Sequence, residues 1–116
     1  MGTFQQEMDR IKQGTAQLSQ AIPDTMKGFY ALSRAATTPG ALDTKTKELI
    51  ALAIAVALRC DGCIGFHTRA VLQAGATPQE IMEALGVAVL MGGGPALMYA
   101  AHALDALAEL QPPSPT

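Results

Sequence analysis

The stretch "TKTKELIALAIAVAL", residues 44–58, constrains the fold more than any other. Its last ten residues, Leu49–Leu58, are all apolar, and Leu52, Ile54, Val56 and Leu58 alternate with alanine. That alternation also fits a strand. Helix is favoured because the run is long, alanine is a poor strand former, and Lys45, Lys47 and Glu48 make a polar first turn. A helix that is apolar nearly all round has to be buried on most sides.

The supply of side chains to bury it is unusual. The chain is 49% apolar but only 4% aromatic, so alanine provides much of the apolar surface. Alanine favours helix and lets backbones approach closely. At 116 residues the chain is expected to be one domain with a modest core. Thin, alanine-lined helices each bury little area, so neighbouring subunits are expected to complete the core as a homo-oligomer. The net charge of −2 comes with no basic stripe, which argues against nucleic acid as a partner. "MGTFQQEMDR" lacks the apolar segment of a signal peptide. A run of ten apolar residues is too short for a bilayer. These observations predict a soluble, cytoplasmic protein with no membrane partner.

The predicted fold class is all-α, a bundle of about five to six helices in a single domain over residues 1–110. Residues 3–20 carry Phe4, Met8, Ile11 and Leu18 on roughly one stripe. Pro23 opens a second helix to about residue 36, with Met26, Phe29, Tyr30 and Leu32. "TTPGALD" is a loop, and its Asp43, or Thr44 after it, can cap the apolar helix. The helix holding the cysteines runs to Ala74, followed by Gly75 as a C′ residue. "TPQE" has Thr77 as N-cap, Pro78 at N1 and Glu80 at N3, a capping box with the favoured proline. That helix is expected to end near Met91 at "GGG", and Pro95 to start a last helix to about Leu110. "QPPSPT", residues 111–116, is expected to be a disordered tail.

Chemistry concentrates in "RCDGCIGFHTRA", residues 59–70, which holds both cysteines of the chain and one of its two histidines. In a helix advancing about 100° per residue, Cys63 lies about 60° from Cys60 and His67 falls between them. Cys63 and His67 are one turn apart, where side chains meet. Free N–H groups in the first turn and a nearby imidazole both favour a thiolate. His67 can take the proton from Cys63 and later return it. The second cysteine can close on an oxidised first one as a disulfide that is easily reduced again. Glu48 is the candidate to orient the histidine, as carboxylates commonly do. In an antiparallel hairpin, Glu48 would lie about 15 Å before the turn and His67 about 10 Å beyond it, a mismatch of about one helical turn.

Other readings stand beside this one. Cys60, Cys63 and His67 could supply three zinc ligands with Glu48 or His102 as a fourth, although no short spacing completes the set. The same pair could also serve a redox sensor or interaction module without turnover. Haem attachment needs a histidine directly after the second cysteine, where this chain has Ile64. In a reducing compartment a lone C-x-x-C is redox-active or metal-binding rather than a structural staple. His102 is read as a surface or interface residue, and "GGGP" as a close-packed helix break rather than an anion cradle.

The pattern Glu48…Cys60-x-x-Cys63-x-x-x-His67, with eleven residues between Glu48 and Cys60, resembles the signature of alkylhydroperoxidase D (AhpD)-type proteins in the carboxymuconolactone decarboxylase family. The flanking "KTKELIALAIAVALRCDGCIGFHTRAVLQAGATPQEIMEAL" and "MGGGPAL" are similar too, so the likeness covers about residues 40–105. The resemblance implies an all-α fold assembled as oligomers, often trimers or hexamers. It implies a peroxidase or disulfide reductase that needs no cofactor and draws electrons from a dithiol of lipoyl or thioredoxin type. By that analogy Cys63 attacks a small hydroperoxide or disulfide. Cys60 forms the disulfide and exchanges with the donor, while Glu48 and His67 relay protons. Typical AhpD proteins carry a histidine just before the second cysteine, where this chain has Gly62. The decarboxylase branch generally lacks the C-x-x-C, so lactone decarboxylation is not implied.

Overall fold

The computed structural model describes residues 3–111 and consists of five helices. They are α1 (Thr3–Ala21), α2 (Pro23–Thr37), α3 (Thr44–Ala57), α4 (Asp61–Gln73) and α5 (Pro78–Leu110). Residues 112–116 of the expected tail lie outside the described residues.

The apolar run is the helix α3, at the centre of the bundle, packed against both α4 and α5. Asp43 is its cap: the side chain accepts a hydrogen bond from the Thr46 N–H at 2.8 Å. Leu52 and Val56 are fully buried, and they meet Ile64 and Val71 of α4 and Ile81 and Leu85 of α5. Alanines fill much of the remaining core, with Ala88, Ala96, Ala100, Ala103 and Ala106 all buried along α5. Small side chains let these helices approach closely, as the composition implied.

The expectation that α3 is covered on most sides is met only in part. Ile50, Ile54 and Leu58, spaced at i, i+4 and i+8, form an exposed stripe. None of the five described helices covers it. α1 buries Phe4 and Met8 against the bare backbone at Gly65 of α4. Leu18, expected on the same stripe, is exposed because it lies beyond the reach of α4. α2 buries none of its residues, and its Phe29 and Leu32 are open.

The break expected at "GGG" occurs, but it is a kink inside α5 and not a gap between separated helices. Gly93 alone is non-helical, at φ 66° and ψ −147°, a region essentially limited to glycine. Helical residues continue through Gly92 and resume at once, with Pro95 in the first turn after the kink. By length and composition alone α5 could cross a bilayer, its most apolar window having a mean hydropathy of 1.6. It packs against α3 and α4 as the longest of the described helices. The capping box forms as expected: Thr77 Oγ1 accepts from the Glu80 N–H at 3.1 Å, and Glu80 Oε1 accepts from the Thr77 N–H at 2.8 Å.

Candidate active site

α3 and α4 are joined by three residues, and their backbone places the first cysteine. Leu58 caps α3, Arg59 turns left-handed at φ 60°, and Cys60 follows. The Arg59 N–H donates to Val56 O and the Cys60 N–H to Ala55 O, both at 3.1 Å. This is a Schellman motif with arginine where glycine is usual. α4 ends the same way, with Gly75 at φ 90° and N–H groups of Gly75 and Ala76 donating to Leu72 O and Val71 O.

Cys60 is therefore the N-cap of α4 and lies just outside the helix expected to begin with it. Its Sγ accepts from the Cys63 N–H at 3.2 Å, as the oxygen of a capping serine or aspartate would. The two sulfurs are joined in a disulfide. Cys63 is half-buried and packs against the core cluster.

The postulated carboxylate–imidazole pair is made. His67 Nδ1 lies 2.6 Å from Glu48 Oε1, so the helical-turn mismatch of an ideal hairpin is absorbed. Glu48 is buried, with 8% of its surface exposed, while the His67 side chain retains 34%. A buried carboxylate is tolerable when it is paired. With Nδ1 engaged, Nε2 is the ring nitrogen left for proton transfer. The Glu48–His67 pair thus joins α3 to α4 one turn along α4 from Cys63, with Cys60 at the cap of the same helix.

His102 keeps 42% of its side chain exposed, as expected of a surface position, but it also makes a pair that the sequence did not suggest. Its Nδ1 lies 2.8 Å from Asp61 Oδ1, and its ring centroid is 4.6 Å from that of Tyr99. Asp61 is the first residue of α4, between the cysteine at the cap and the rest of the helix. Sequence reasoning missed this pair because its members are 41 residues apart. The available signal was an acidic residue at N1 of the cysteine helix. A cleft of about 400 Å³ opens beside the pair, lined by Thr3, Phe4, Glu7, Asp61, His102 and Asp105. The two histidines serve different carboxylates. Among the described residues, no three His, Cys, Asp or Glu side chains are grouped to share a metal ion.

Gly62 has a spatial reason. A Cβ built there would stand 2.7 Å from Ile11 Cδ1, so α1 covers this turn of α4. A larger side chain at position 62 would have to push the flexible end of Ile11 aside.

An all-helical bundle with a C-x-x-C at a helix N-terminus and a carboxylate–histidine pair beside it defines an AhpD-like architecture. The carboxymuconolactone decarboxylase family model matches residues 23–106, and the chain belongs to that family. A carboxymuconolactone decarboxylase family protein from Legionella pneumophila, in its apo form, is 49% identical with a TM-score of 0.94, covering 97% of this chain and all of that one. A family member from Thermotoga maritima, for which a part in an antioxidative response has been suggested, is 34% identical with a TM-score of 0.81 over 90% of each chain. A protein of Cupriavidus necator is 46% identical over 87 residues, 75% of this chain and 77% of its own length. A protein from the cox locus of Paracoccus denitrificans is 38% identical, covering 89% and 93%.

Proposed function

We propose that the protein is a thiol-dependent antioxidant enzyme that reduces small hydroperoxides or disulfides through the Cys60–Cys63 pair. The observation that carries this reading is the coincidence of a joined thiol pair at the N-terminus of α4 with the Glu48–His67 pair next to it. The antioxidative role suggested for the Thermotoga maritima relative supports it.

The cycle balances without a cofactor. The Cys63 thiolate attacks the outer oxygen of a hydroperoxide, and the O–O bond breaks. The alcohol leaves with a proton from His67, and Cys63 becomes a sulfenic acid. Cys60 attacks that sulfur and expels water, giving the disulfide present here. An external dithiol, of lipoyl or thioredoxin type, then attacks Cys60. The donor's first thiol gives up its proton to His67 as it attacks, Cys63 departs as a thiolate, and His67 passes that proton to it. The donor's second thiol releases Cys60, and the donor keeps the new disulfide. Glu48 holds His67 by Nδ1 and balances its charge when the ring is protonated. The reading includes a homo-oligomer, a trimer or hexamer, working in the cytoplasm where dithiol donors are kept reduced.

The test starts from reduced protein. One equivalent of peroxide should consume two free thiols, a dithiol should restore them, and turnover should be sustained while dithiol lasts. Cys63→Ser should lose peroxide reactivity. A Cys63→Ser protein that reacts as fast as the parent would overturn the assignment of the nucleophile. One round of oxidation without turnover on any of a panel of dithiols would leave a redox sensor in place of an enzyme.

A further inference from the structure

We propose that His102 and Asp61 are positioning residues that set how readily Cys60 carries negative charge. The inference rests on the redox reading of the thiol pair. When the donor's second thiol resolves the mixed disulfide, the S–S bond breaks and its electron pair goes to Cys60 Sγ. The donor is oxidised to a disulfide, and Cys60 leaves as a thiolate. Anything that stabilises this thiolate speeds its release.

The local field at Cys60 has opposing parts. The Cys63 N–H and the N-terminus of α4 favour an anion on Sγ. Asp61, one residue on, brings a carboxylate to the same turn, and a like charge nearby disfavours a thiolate. His102 reaches over from α5 and bonds that carboxylate at 2.8 Å, drawing its charge away from the sulfur. The Tyr99 ring, 4.6 Å away, holds the imidazole in register.

The other charged neighbours do not replace it. From α1, Glu7 faces the same cleft and is paired with Arg10. From α5 itself, Asp105 adds a further carboxylate. Among the described residues lining the cleft, His102 is the one side chain that can carry positive charge. Arg59 precedes Cys60 with an exposed side chain, where solvent and salt screen its charge. Glu48 and His67 are committed to each other.

The test uses a Cys63→Ser background, in which Cys60 is the single thiol. Thiolate absorbance is followed against pH, together with the rate of alkylation by iodoacetamide at pH 7. His102→Gln should move the thiolate midpoint upward by about 0.5–1 pH unit and slow alkylation about three- to tenfold. Asp61→Asn should shift both in the opposite direction. In the Asp61→Asn protein, adding His102→Gln should change nothing further. A full His102→Gln effect without Asp61 would overturn the proposal, as would shifts of the same sign in both variants or no shift in either. Asp61→Asn is nearly isosteric on a side chain 46% exposed, and if His102→Gln does not fold, His102→Asn is compared with and without it under the same criteria. No peroxide enters this experiment. The shifts without catalytic turnover would sink the enzyme reading and leave this one standing. Turnover without the shifts would do the reverse.

Discussion

Glu48 is a carboxylate in a core of alanine and leucine, and His67 at 2.6 Å is what makes its burial tolerable. Glu48→Gln keeps the shape and removes the charge that orients and balances the imidazole. Its kcat should fall about 10²- to 10⁴-fold with KM little changed, read from steady-state kinetics with a dithiol donor. Next to His67 in α4, Thr68 is fully buried and its Oγ1 has no hydrogen-bond partner. An unsatisfied buried hydroxyl costs about 1–3 kcal/mol. Thr68→Val, which keeps the branching, should therefore raise the unfolding free energy by about 1 kcal/mol in urea titrations. Gly62 and Arg59 mark the limits of reading single residues. Gly62 stands out in the sequence for lacking a histidine, while the neighbour that a side chain there would meet, Ile11, lies on a different helix. Nothing local announces that Arg59 adopts φ 60°, because a glycine is the usual signal for that turn.

Between elements, the starts of α3 and α5 are tied together by Lys45 Nζ and Glu80 Oε2 at 2.8 Å. Glu80 also closes the capping box, so one carboxylate serves two helices. The Lys45 ammonium, together with the Thr77 N–H, holds Glu80 below its ordinary value of 4.5. Hydrogen bonding from Thr46 holds Asp43 below its ordinary 3.8. Both contributions are complete above those values and are lost as pH falls through the lower folded ones. Glu80 in turn raises Lys45 above 10.5, a contribution present below that value and lost as pH rises past the folded one. The melting temperature should thus fall on acidification below about 4.5 and again above about 10.5, and Glu80→Gln should flatten both limbs. Capping boxes, proline starts and the glycine break each lie within a few residues of sequence, so these boundaries are legible in the sequence alone. The cover of α1 over α4 and the reach of His102 to Asp61 join segments far apart in the chain, and periodicity carries no record of them. Glu48–His67 lies between these cases: a short hairpin limits the register, and only packing closes the last turn.

At the scale of the molecule, the described residues leave an apolar surface uncovered. Leu90 and Met91, before the kink of α5, are 78% and 77% exposed, and Ile54 and Leu58 of α3 are open as well. Patches of this kind commonly mark contact surfaces between chains. Light scattering at micromolar concentration should find an oligomer, and Leu90→Lys should shift it toward monomer and lower its melting temperature. A monomeric parent would overturn the assembly reading. At the far end of α5, the Glu109 carboxylate accepts the N–H groups of Phe4 and Gln5 at 3.0 and 2.6 Å. It thereby caps the helix that lies over the cysteine turn. The first and last helices of the described chain are thus tied through this side chain as well as through the core packing of Phe4, and the helix over the site is held in part by a residue at the opposite end of the chain. Glu109→Ala should loosen α1 and speed hydrogen exchange along it, with the thiol turn more open to solvent. A substitution in the last turn of the last helix would thus act as a change in access to chemistry that sits in the middle of the sequence.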